Sequence, residues 1–364
     1  MTRPQLTIRA LRTRAVSPPM HRPLGTSATR MERAPFVLVE LETEEGVTGR
    51  AHAYCYLERA APLLRDVLTT AGEAIVGAAV DPGAIRSSLD ATFRLLGAHG
   101  LVAMGLSALD VACWDALAVA ADVSLARFLE SRADTVPAYN SNGLSIARPE
   151  ALGAEARDLL EPGFGALKIR LGRSDAAEDL AAVQAVRAAV SGDTLLMADY
   201  NQSLTVTDAI SRGAQLEQED LYWIEEPVSA DDLSGCAQVS AALTMPVQIG
   251  ENLYGPQGVE TAIALKASDF LMFDLMRIGG VSGWLEAAAS ASRAGIPVSS
   301  HLYPEVSAHL LAATETAHWL EYVDWAEPFL ETGIEVVDGE ARVPDRPGTG
   351  VVWDEEAVAR YAMS

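Results

Sequence analysis

The chain has 364 residues, of which 49% are hydrophobic and 21% charged, a composition that excludes a disordered or fibrous protein and predicts a large buried core. Its 27 lysines and arginines against 50 aspartates and glutamates give a net charge of −23, which disfavours nucleic acid and membrane surfaces as partners. Three cysteines without paired spacing predict a reducing, cytoplasmic location, and we expect neither a signal peptide nor a membrane span.

The first part of the chain combines strands with helices. Three segments predict an antiparallel meander: residues 6–16, 34–46 and 47–56. From Ala61 to about Glu130 the spacing of apolar residues becomes helical. The apolar residues of one long helix recur on roughly one face: Leu101, Met104, Leu106, Leu109, Val111 and Trp114. We therefore predict an N-terminal α+β domain over residues 1–130.

Eight short apolar runs follow, separated by alanine-rich helical stretches and recurring about every 20 to 30 residues. They are VPAYN, ALKIRLG, TLLMADYN, YWIEEP, PVQIGEN, FLMFDLM, PVSSHLY and HWLEYV. Eight β/α units predict an α/β fold with a TIM-type barrel over residues 131–325. After Trp325 the alternation stops, and residues 326–364 predict hairpin and loop structure that returns to the first domain.

Ionisable residues end seven of the eight runs, and the catalytic groups of such a barrel lie at the carboxyl ends of its strands. Asp199, Glu225 and Glu251 are 26 residues apart, one β/α unit each, which predicts three carboxylates on adjacent strands. Oxygen ligands alone indicate a hard cation, and few protein ligands favour Mg²⁺ over Ca²⁺. Each residue taken singly is better explained as a helix cap or a solvated charge, but three at matched spacing favour a metal site.

Two further pairs of charged residues face the same rim. Lys168 and Arg170 alternate with Ile169 on one strand, so both point into the barrel mouth. We expect burial beside a cation to lower the pKa of Lys168, whereas for Arg170 a structural salt bridge is an equally good explanation. Asp274 and His301 end successive strands, where the carboxylate can orient the imidazole as a general base.

Several motifs in this order resemble the enolase superfamily, and within it the mandelate racemase group of the mandelate racemase/muconate lactonizing enzyme family, from Leu11 to Trp353. The motifs are MADYNQSL, WIEEP, GENLYGP, RIGGVSGW, SSHLYPEVSAHLLAAT and AHWLE. The resemblance implies an N-terminal α+β capping domain, a modified barrel and a C-terminal segment that returns to the cap. It also implies Mg²⁺ as cofactor, a small-molecule carboxylate as substrate and a homo-oligomer.

The resemblance further implies a role for each residue at the rim. Asp199, Glu225 and Glu251 would hold Mg²⁺, and Lys168 would bind the substrate carboxylate and stabilise the enediolate formed when the α-proton leaves. Glu321 would donate a hydrogen bond to that carboxylate, and Asn201 would contact the α-hydroxyl. His301, oriented by Asp274, would be the base on one face of the α-carbon.

The segment from Leu24 to Met31 corresponds to the specificity loop of the family and has the short length of the mandelate type. Leu24, Ala28 and Met31 would present apolar side chains to the substrate. Tyr56 and Ser141 complete the candidate substrate contacts. A sugar acid would require more polar contacts, which His21, Arg22 and Arg30 nearby could provide.

The favoured function is Mg²⁺-dependent removal of the α-proton of a 2-hydroxycarboxylate, with racemisation or epimerisation as the outcome. The family pattern for two-base racemisation is K-x-K, whereas this chain has Arg170 in the second position, and a guanidinium is a poor proton acceptor. One-base dehydration of an acid sugar, with His301 as base and then acid, is therefore the alternative. A third hypothesis is a barrel that binds carboxylates without catalysis.

Overall fold

The computed structural model describes residues 4–131 and 133–363, and its N-terminal part holds an antiparallel sheet covered by helices. The strands are β1 (Ile8–Val16), β2 (Pro19–Gly25), β3 (Arg30–Arg33), β4 (Phe36–Thr43) and β5 (Thr48–Tyr54). The helices are α1 (Ala60–Ile75), α2 (Pro82–Thr92), α3 (Gly100–Ala120) and α4 (Leu125–Phe128). β1, β4 and β5 pair antiparallel in that order, which confirms the predicted meander.

Strands β2 and β3 form a hairpin that the sequence pattern did not predict. The hairpin pairs Leu24 with Met31. Pro19 and Pro23 interrupt the apolar alternation in β2, and proline is confined to edge strands because it cannot donate to a ladder. The hairpin reaches the barrel through Gly25, whose N–H donates to Ser145 Oγ at 2.8 Å.

Helix α3 is the central helix of the N-terminal domain and contains the predicted helical run from Leu101 to Trp114, but its burial is not confined to the face that carries those residues. Fifteen of its 21 residues are buried, because sheet strands lie on one side of it and barrel helices on another. At Gly49 of β5 a Cβ atom would lie only 2.0 Å from the carbonyl oxygen of Ala112, so only glycine permits this close approach. By length and composition α3 could cross a membrane, but 83% of the apolar stretch is buried inside the protein, as in a core helix.

The second part of the chain is a barrel of eight parallel strands, one from each predicted run. The strands are β6 (Thr135–Asn140), β7 (Ala166–Arg170), β8 (Leu195–Asp199), β9 (Ile224–Glu225), β10 (Val247–Ile249), β11 (Phe270–Asp274), β12 (Val298–His301) and β13 (Leu320–Tyr322). The helices between them are α5 (Pro149–Leu160), α6 (Ala176–Arg187), α7 (Val206–Leu216), α8 (Leu233–Ala242), α9 (Gly255–Leu265), α10 (Leu275–Ile278), α11 (Gly280–Ala294) and α12 (Pro304–Ala312).

The barrel closes between its last two strands and its first. β13 pairs with β6 in parallel, and the N–H of Ser300 in β12 donates to the carbonyl oxygen of Trp319 at 2.9 Å. Within the described residues, β13 leads into a short 3₁₀ turn, Glu327–Phe329, in place of an eighth barrel helix. The barrel is therefore of the modified kind that the family resemblance implies.

The C-terminal segment contacts both parts of the molecule. Its hairpin, β14 (Val336–Val337) and β15 (Glu340–Arg342), extends the barrel sheet by antiparallel pairing of β15 with β6. The chain then ends in α13 (Glu355–Arg360), after which Met363 donates from its N–H to the carbonyl oxygen of Ala15 in β1 at 2.9 Å. The end of the segment, rather than its hairpin, thus returns to the N-terminal sheet.

Parallel register brings the charged residues of neighbouring strands side by side. Asp199 of β8 is the register partner of Arg170 in β7 and of Glu225 in β9. Asp274 of β11 is the partner of His301 in β12. Because the carboxyl ends of parallel strands open at one rim, these pairs lie around a common centre.

Candidate active site

Three carboxylates meet at the carboxyl ends of β8, β9 and β10. One oxygen from each of Asp199, Glu225 and Glu251 lies within 4.8 Å of the other two. Glu225 is fully buried, and Asp199 and Glu251 are 1% and 9% exposed. Carboxylate oxygens at this spacing are the ligand set that Mg²⁺ prefers in proteins. The residues therefore fit the predicted magnesium site.

Burial and mutual repulsion make this cluster unfavourable without a cation. Burial raises the pKa of Glu225 to about 8, with Lys168 opposing the shift and Asp199 adding to it. Burial also raises the pKa of Asp199, again against the charge of Lys168. A divalent cation between the carboxylates would oppose both pKa shifts, because its charge favours the ionised forms.

Lys168 lies fully buried among the carboxylates of the rim. Its Nζ contacts Glu225 Oε1 and lies 2.8 Å from Glu321 Oε1 and 3.7 Å from Asp199 Oδ2. Burial by itself lowers the pKa of Lys168, but the charges of Glu225 and Glu321 outweigh it and hold that pKa above its ordinary value. The expected lowering concerns Lys168 beside a bound cation, which would take up the charge of Glu225 and Asp199, and it stays a prediction.

Arg170 lines the same cavity and is held by Ser141. Its Nη1 donates to the backbone oxygen of Ser141 at 2.7 Å, and its Nη2 donates to Ser141 Oγ at 2.8 Å. Among the described residues, no carboxylate oxygen lies within 4 Å of the guanidinium, so the alternative of a structural salt bridge is wrong.

Ser141 was predicted as a substrate contact, and the structure corrects this. The side chain is fully buried and is absent from the cavity wall among the described residues. Its hydroxyl donates to Glu321 Oε1 at 2.6 Å while it accepts from Arg170. Ser141 therefore links two rim residues from behind.

Glu321 accepts hydrogen bonds from three sides. Ser141 and Lys168 donate to Oε1, and the N–H of Leu302 donates to Oε2 at 2.9 Å. Burial by itself raises the pKa of Glu321, but the charges of Lys168 and His301 outweigh it and hold that pKa below its ordinary range. In this arrangement both oxygens of Glu321 accept, and the expected donation to a bound substrate carboxylate stays a prediction.

His301 and Asp274 form the expected pair. His301 Nδ1 lies 2.7 Å from Asp274 Oδ2, and its Nε2 lies 3.3 Å from Glu251 Oε2. Burial lowers the pKa of His301, but Glu251, Glu321 and the bond to Asp274 outweigh it and raise the pKa to about 9. Asp274 is itself fixed, because its Oδ1 accepts from the N–H of Met276 at 2.8 Å.

These groups surround a cavity of about 190 Å³ beneath the β2–β3 hairpin. The hairpin contributes three apolar side chains, those of Leu24, Ala28 and Met31, and Tyr56 and Asn201 also line the cavity. The predicted capping-loop residues are thus brought to the same cavity as the charged rim.

Asn201 and Tyr56 each present an unsatisfied polar atom. Asn201 Nδ2 donates to Asp199 Oδ2 at 2.8 Å, while its Oδ1 is buried without a hydrogen-bond partner. Tyr56 Oη is likewise buried and without a hydrogen-bond partner. Buried polar atoms of this kind are expected to find partners, so both atoms are available to a ligand.

Sequence reasoning missed several polar or aromatic residues of the cavity wall: Gln202, Asn252, Arg277 and Trp325. Arg277 donates from Nη1 to the backbone oxygen of Glu251 and to Asn252 Oδ1, both at 2.6 Å, and lies over the ring of Tyr56 at 5.0 Å. The position of Arg277 in the sequence could have indicated this role, because Arg277 is the first residue of the RIGGVSGW motif, three residues after Asp274.

Two family models match the chain. The model described as mandelate racemase/muconate lactonizing enzyme, N-terminal domain, matches residues 8–129, and the model described as enolase C-terminal domain-like matches residues 151–357. Together they span both parts of the fold.

Solved structures are similar over the whole chain. A magnesium-bound enolase from alpha proteobacterium BAL199 is 42% identical, with a TM-score of 0.96 over 98% of this chain and 100% of that one. An enolase from Bradyrhizobium, solved with magnesium and mandelic acid, is 40% identical, with a TM-score of 0.95 over 100% of both chains.

One relative of the chain is a dehydratase. L-talarate/galactarate dehydratase from Salmonella typhimurium is 36% identical over 265 residues, which are 72% of this chain and 66% of that protein, just under two thirds of its length. Further relatives between 24% and 29% identity include cycloisomerases and an epimerase.

Proposed function

The chain belongs to the mandelate racemase/muconate lactonizing enzyme family of the enolase superfamily, and from this premise we propose that it removes the α-proton of a 2-hydroxycarboxylate and returns it as a racemase or epimerase. Enzymes of this superfamily are Mg²⁺-dependent, and similar chains are solved with magnesium bound. The observation that carries the proposal is the pairing of His301 Nδ1 with Asp274 Oδ2 at 2.7 Å. His301 lines the same cavity as Asp199 and Glu251 of the carboxylate triad.

Asp199, Glu225 and Glu251 would hold the ion, which supplies positive charge for the substrate carboxylate and for the charge that develops on it. Lys168 adds a second positive charge at the centre of the rim. Because this charge is buried, it stabilises an enediolate more strongly than a charge in water would. Ionised Glu321 keeps Lys168 in place through the 2.8 Å contact.

His301 is the base of the proposal. A cation held by Glu251 would offset the negative charge that raises the pKa of His301, so the ring could be neutral. Asp274 then accepts the Nδ1 proton, which leaves the Nε2 lone pair to take the α-proton. Asn201 Oδ1 and Tyr56 Oη, both unpartnered, would receive the α-hydroxyl and fix the substrate against His301. The proton then rests on Nε2 and can be exchanged with solvent or returned to carbon.

The outcome of the reaction depends on the substituent that the cavity accepts. Leu24, Ala28 and Met31 of the hairpin, with Trp325, form an apolar wall that favours an apolar substituent without a leaving group. Without a leaving group, the enediolate of such a substrate can react only by taking a proton back at the α-carbon. Inversion requires a proton donor on the face of the α-carbon opposite His301. Arg170 would take this role, because its strand β7 lies three strands away from β12 around the barrel.

One observation favours dehydration as a second candidate. Arg170 already donates two hydrogen bonds to Ser141, and a guanidinium is a very weak base. With His301 as the sole base, an acid sugar would lose its β-hydroxyl after proton removal, and protonated His301 would assist the leaving group. Gln202, Asn252 and Arg277 supply polar contacts for such a substrate.

The two candidates are separated by product analysis of the magnesium-loaded protein. Each mandelate enantiomer and a panel of sugar acids that includes galactarate are incubated, followed by chiral chromatography and a semicarbazide assay for keto acids. Inversion without keto acid supports the racemase, and keto acid supports the dehydratase. Magnesium binding without either product from any acid contradicts both and leaves a non-catalytic carboxylate-binding barrel.

Cytoplasmic location and homo-oligomerisation stay predictions. Cys55, Cys113 and Cys236 are buried and free, which supports a reducing compartment.

A further inference from the structure

A second cavity, of about 290 Å³, lies between the N-terminal domain and the barrel. Arg86 and His99 line it from the N-terminal domain, and Tyr254, Arg277 and Gly279 line it from the barrel. Arg277 is shared, since it also lines the active-site cavity. None of the described residues that line the second cavity carries a carboxylate, although the chain has a net charge of −23.

The two arginines enter the cavity from opposite sides. Arg277 has a buried Nε without a hydrogen-bond partner. Arg86 extends from α2 so far that its Nη1 lies 3.2 Å from the position a Cβ atom would take on Gly279. Glycine at this position therefore leaves room for the guanidinium against the barrel.

The carboxylates nearest to Arg86 engage its charge only in part. Asp90 pairs with Arg86 Nε at 3.0 Å, but both side chains are partly exposed, and such pairs contribute little. Asp110 is buried and already accepts from Ser282, through the hydroxyl at 2.6 Å and the N–H at 2.9 Å.

Two helix N-termini add partial positive charge at the same place. α3 begins after His99 and α9 begins after Tyr254, and neither N-cap residue makes a side-chain capping bond. The rings of His99 and Tyr254 contact each other edge to face, with centroids 5.5 Å apart, so the two helix ends converge. Free N–H groups at helix N-termini attract anions.

We propose that this cavity is a binding site for a small oxyanion, a phosphate or carboxylate group, separate from the active site. Arg86 and Arg277 supply formal charge, His99 supplies a ring N–H, and the ends of α3 and α9 supply backbone donors. Guanidinium groups recognise phosphate and carboxylate because their parallel N–H groups match two oxygens.

The test is calorimetric titration of the magnesium-loaded full chain with inorganic phosphate at constant ionic strength. Arg86→Gln and His99→Gln are compared with the matched control Arg94→Gln, which removes the same charge from an exposed arginine outside the cavity lining. We expect each of the two cavity variants to weaken phosphate binding at least about fivefold, and the control to leave it unchanged.

The titration is repeated with Lys168→Met, which removes a positive charge from the active-site cavity and none from the second cavity. Phosphate binding that persists in Lys168→Met and is weakened in Arg86→Gln and His99→Gln supports the proposal. Phosphate binding that Lys168→Met abolishes, or that Arg86→Gln and His99→Gln leave at the wild-type affinity, overturns it. The absence of phosphate binding to the wild-type protein overturns it as well.

Discussion

Arg170 donates from Nη1 to the backbone oxygen of Ser141 at 2.7 Å, so the side chain in the position of a second base is already engaged. Its Nη2 donates to Ser141 Oγ, which in turn donates to Glu321. This chain of bonds orients the guanidinium beside the substrate cavity without a direct ion pair to a carboxylate. Arg170 is consequently suited to hold charge and poorly suited to accept a proton.

Replacing Arg170 by lysine should therefore introduce or increase α-proton exchange on the face away from His301. A lysine desolvated beside a divalent cation can reach a pKa near neutrality, which arginine cannot. The measurement is deuterium exchange of each mandelate enantiomer with magnesium-loaded Arg170→Lys. Equal or slower exchange of both enantiomers relative to wild type, with magnesium affinity retained, would show that position 170 takes no part in proton transfer.

Glu225→Gln should weaken magnesium binding by about tenfold or more and abolish turnover while the fold persists. The ion loses one of three anionic ligands, whereas the barrel loses no packing volume. Calorimetric titration with Mg²⁺ measures the affinity, and circular dichroism checks the fold. Glu178→Gln, an exposed change on α6, is the matched control. Unchanged affinity and turnover would remove Glu225 from the metal site.

Magnesium should also raise the melting temperature. The ion binds only the folded arrangement of Asp199, Glu225 and Glu251 and relieves their repulsion, and at 100 times its Kd linkage predicts about 2.7 kcal/mol of stabilisation. Calorimetric melting curves with Mg²⁺ and after verified removal by EDTA provide the comparison. Identical curves would contradict a buried cluster that requires a cation.

His309 predicts a loss of stability in acid that is independent of the active site. Its Nδ1 accepts from the N–H of Ala126 at 3.1 Å and its Nε2 donates to the carbonyl oxygen of Thr349 at 3.1 Å, so the buried ring must be neutral. Burial lowers its pKa to about 4. The unfolded state takes up the proton first, so stability is full above the ordinary value of 6.5 and falls by about 3 kcal/mol as the pH drops through 4.

The check is urea unfolding of wild type and His309→Gln between pH 7 and pH 4. The variant should show a smaller decline across this range than wild type, because it has no imidazole to protonate. Parallel pH dependences of the two proteins would contradict the assignment of a neutral buried ring.

The strand-end rule explains why much of the site was predictable. Spacing of one β/α unit predicted that Asp199, Glu225 and Glu251 share a rim, and the structure brings them within 4.8 Å. Successive strand ends predicted the proximity of Asp274 and His301. Both inferences depend only on strand order and parallel register, which the apolar runs already contain.

Features that depend on tertiary neighbours could not be predicted in this way. The pKa of Lys168 and the ionisation of Glu321 depend on which charges surround each buried group. The position of Ser141 behind the rim depends on the direction of its side chain. Arg277 reaches the cavity only because the short helix α10 turns back towards it, which the sequence pattern does not indicate. The β2–β3 hairpin was missed because its prolines interrupt the alternation typical of a strand.

The most direct test of the account is α-proton exchange by His301→Asn in D₂O, followed by ¹H NMR with both mandelate enantiomers and a sugar acid. Magnesium-loaded wild type should exchange the α-proton. The variant should bind magnesium but exchange the α-proton of the enantiomer that faces His301 about a hundredfold or more slowly, because the general base on that face is gone. If exchange by the variant matches wild type for both enantiomers, or if wild type exchanges no acid at all, His301 is not the base and the account fails.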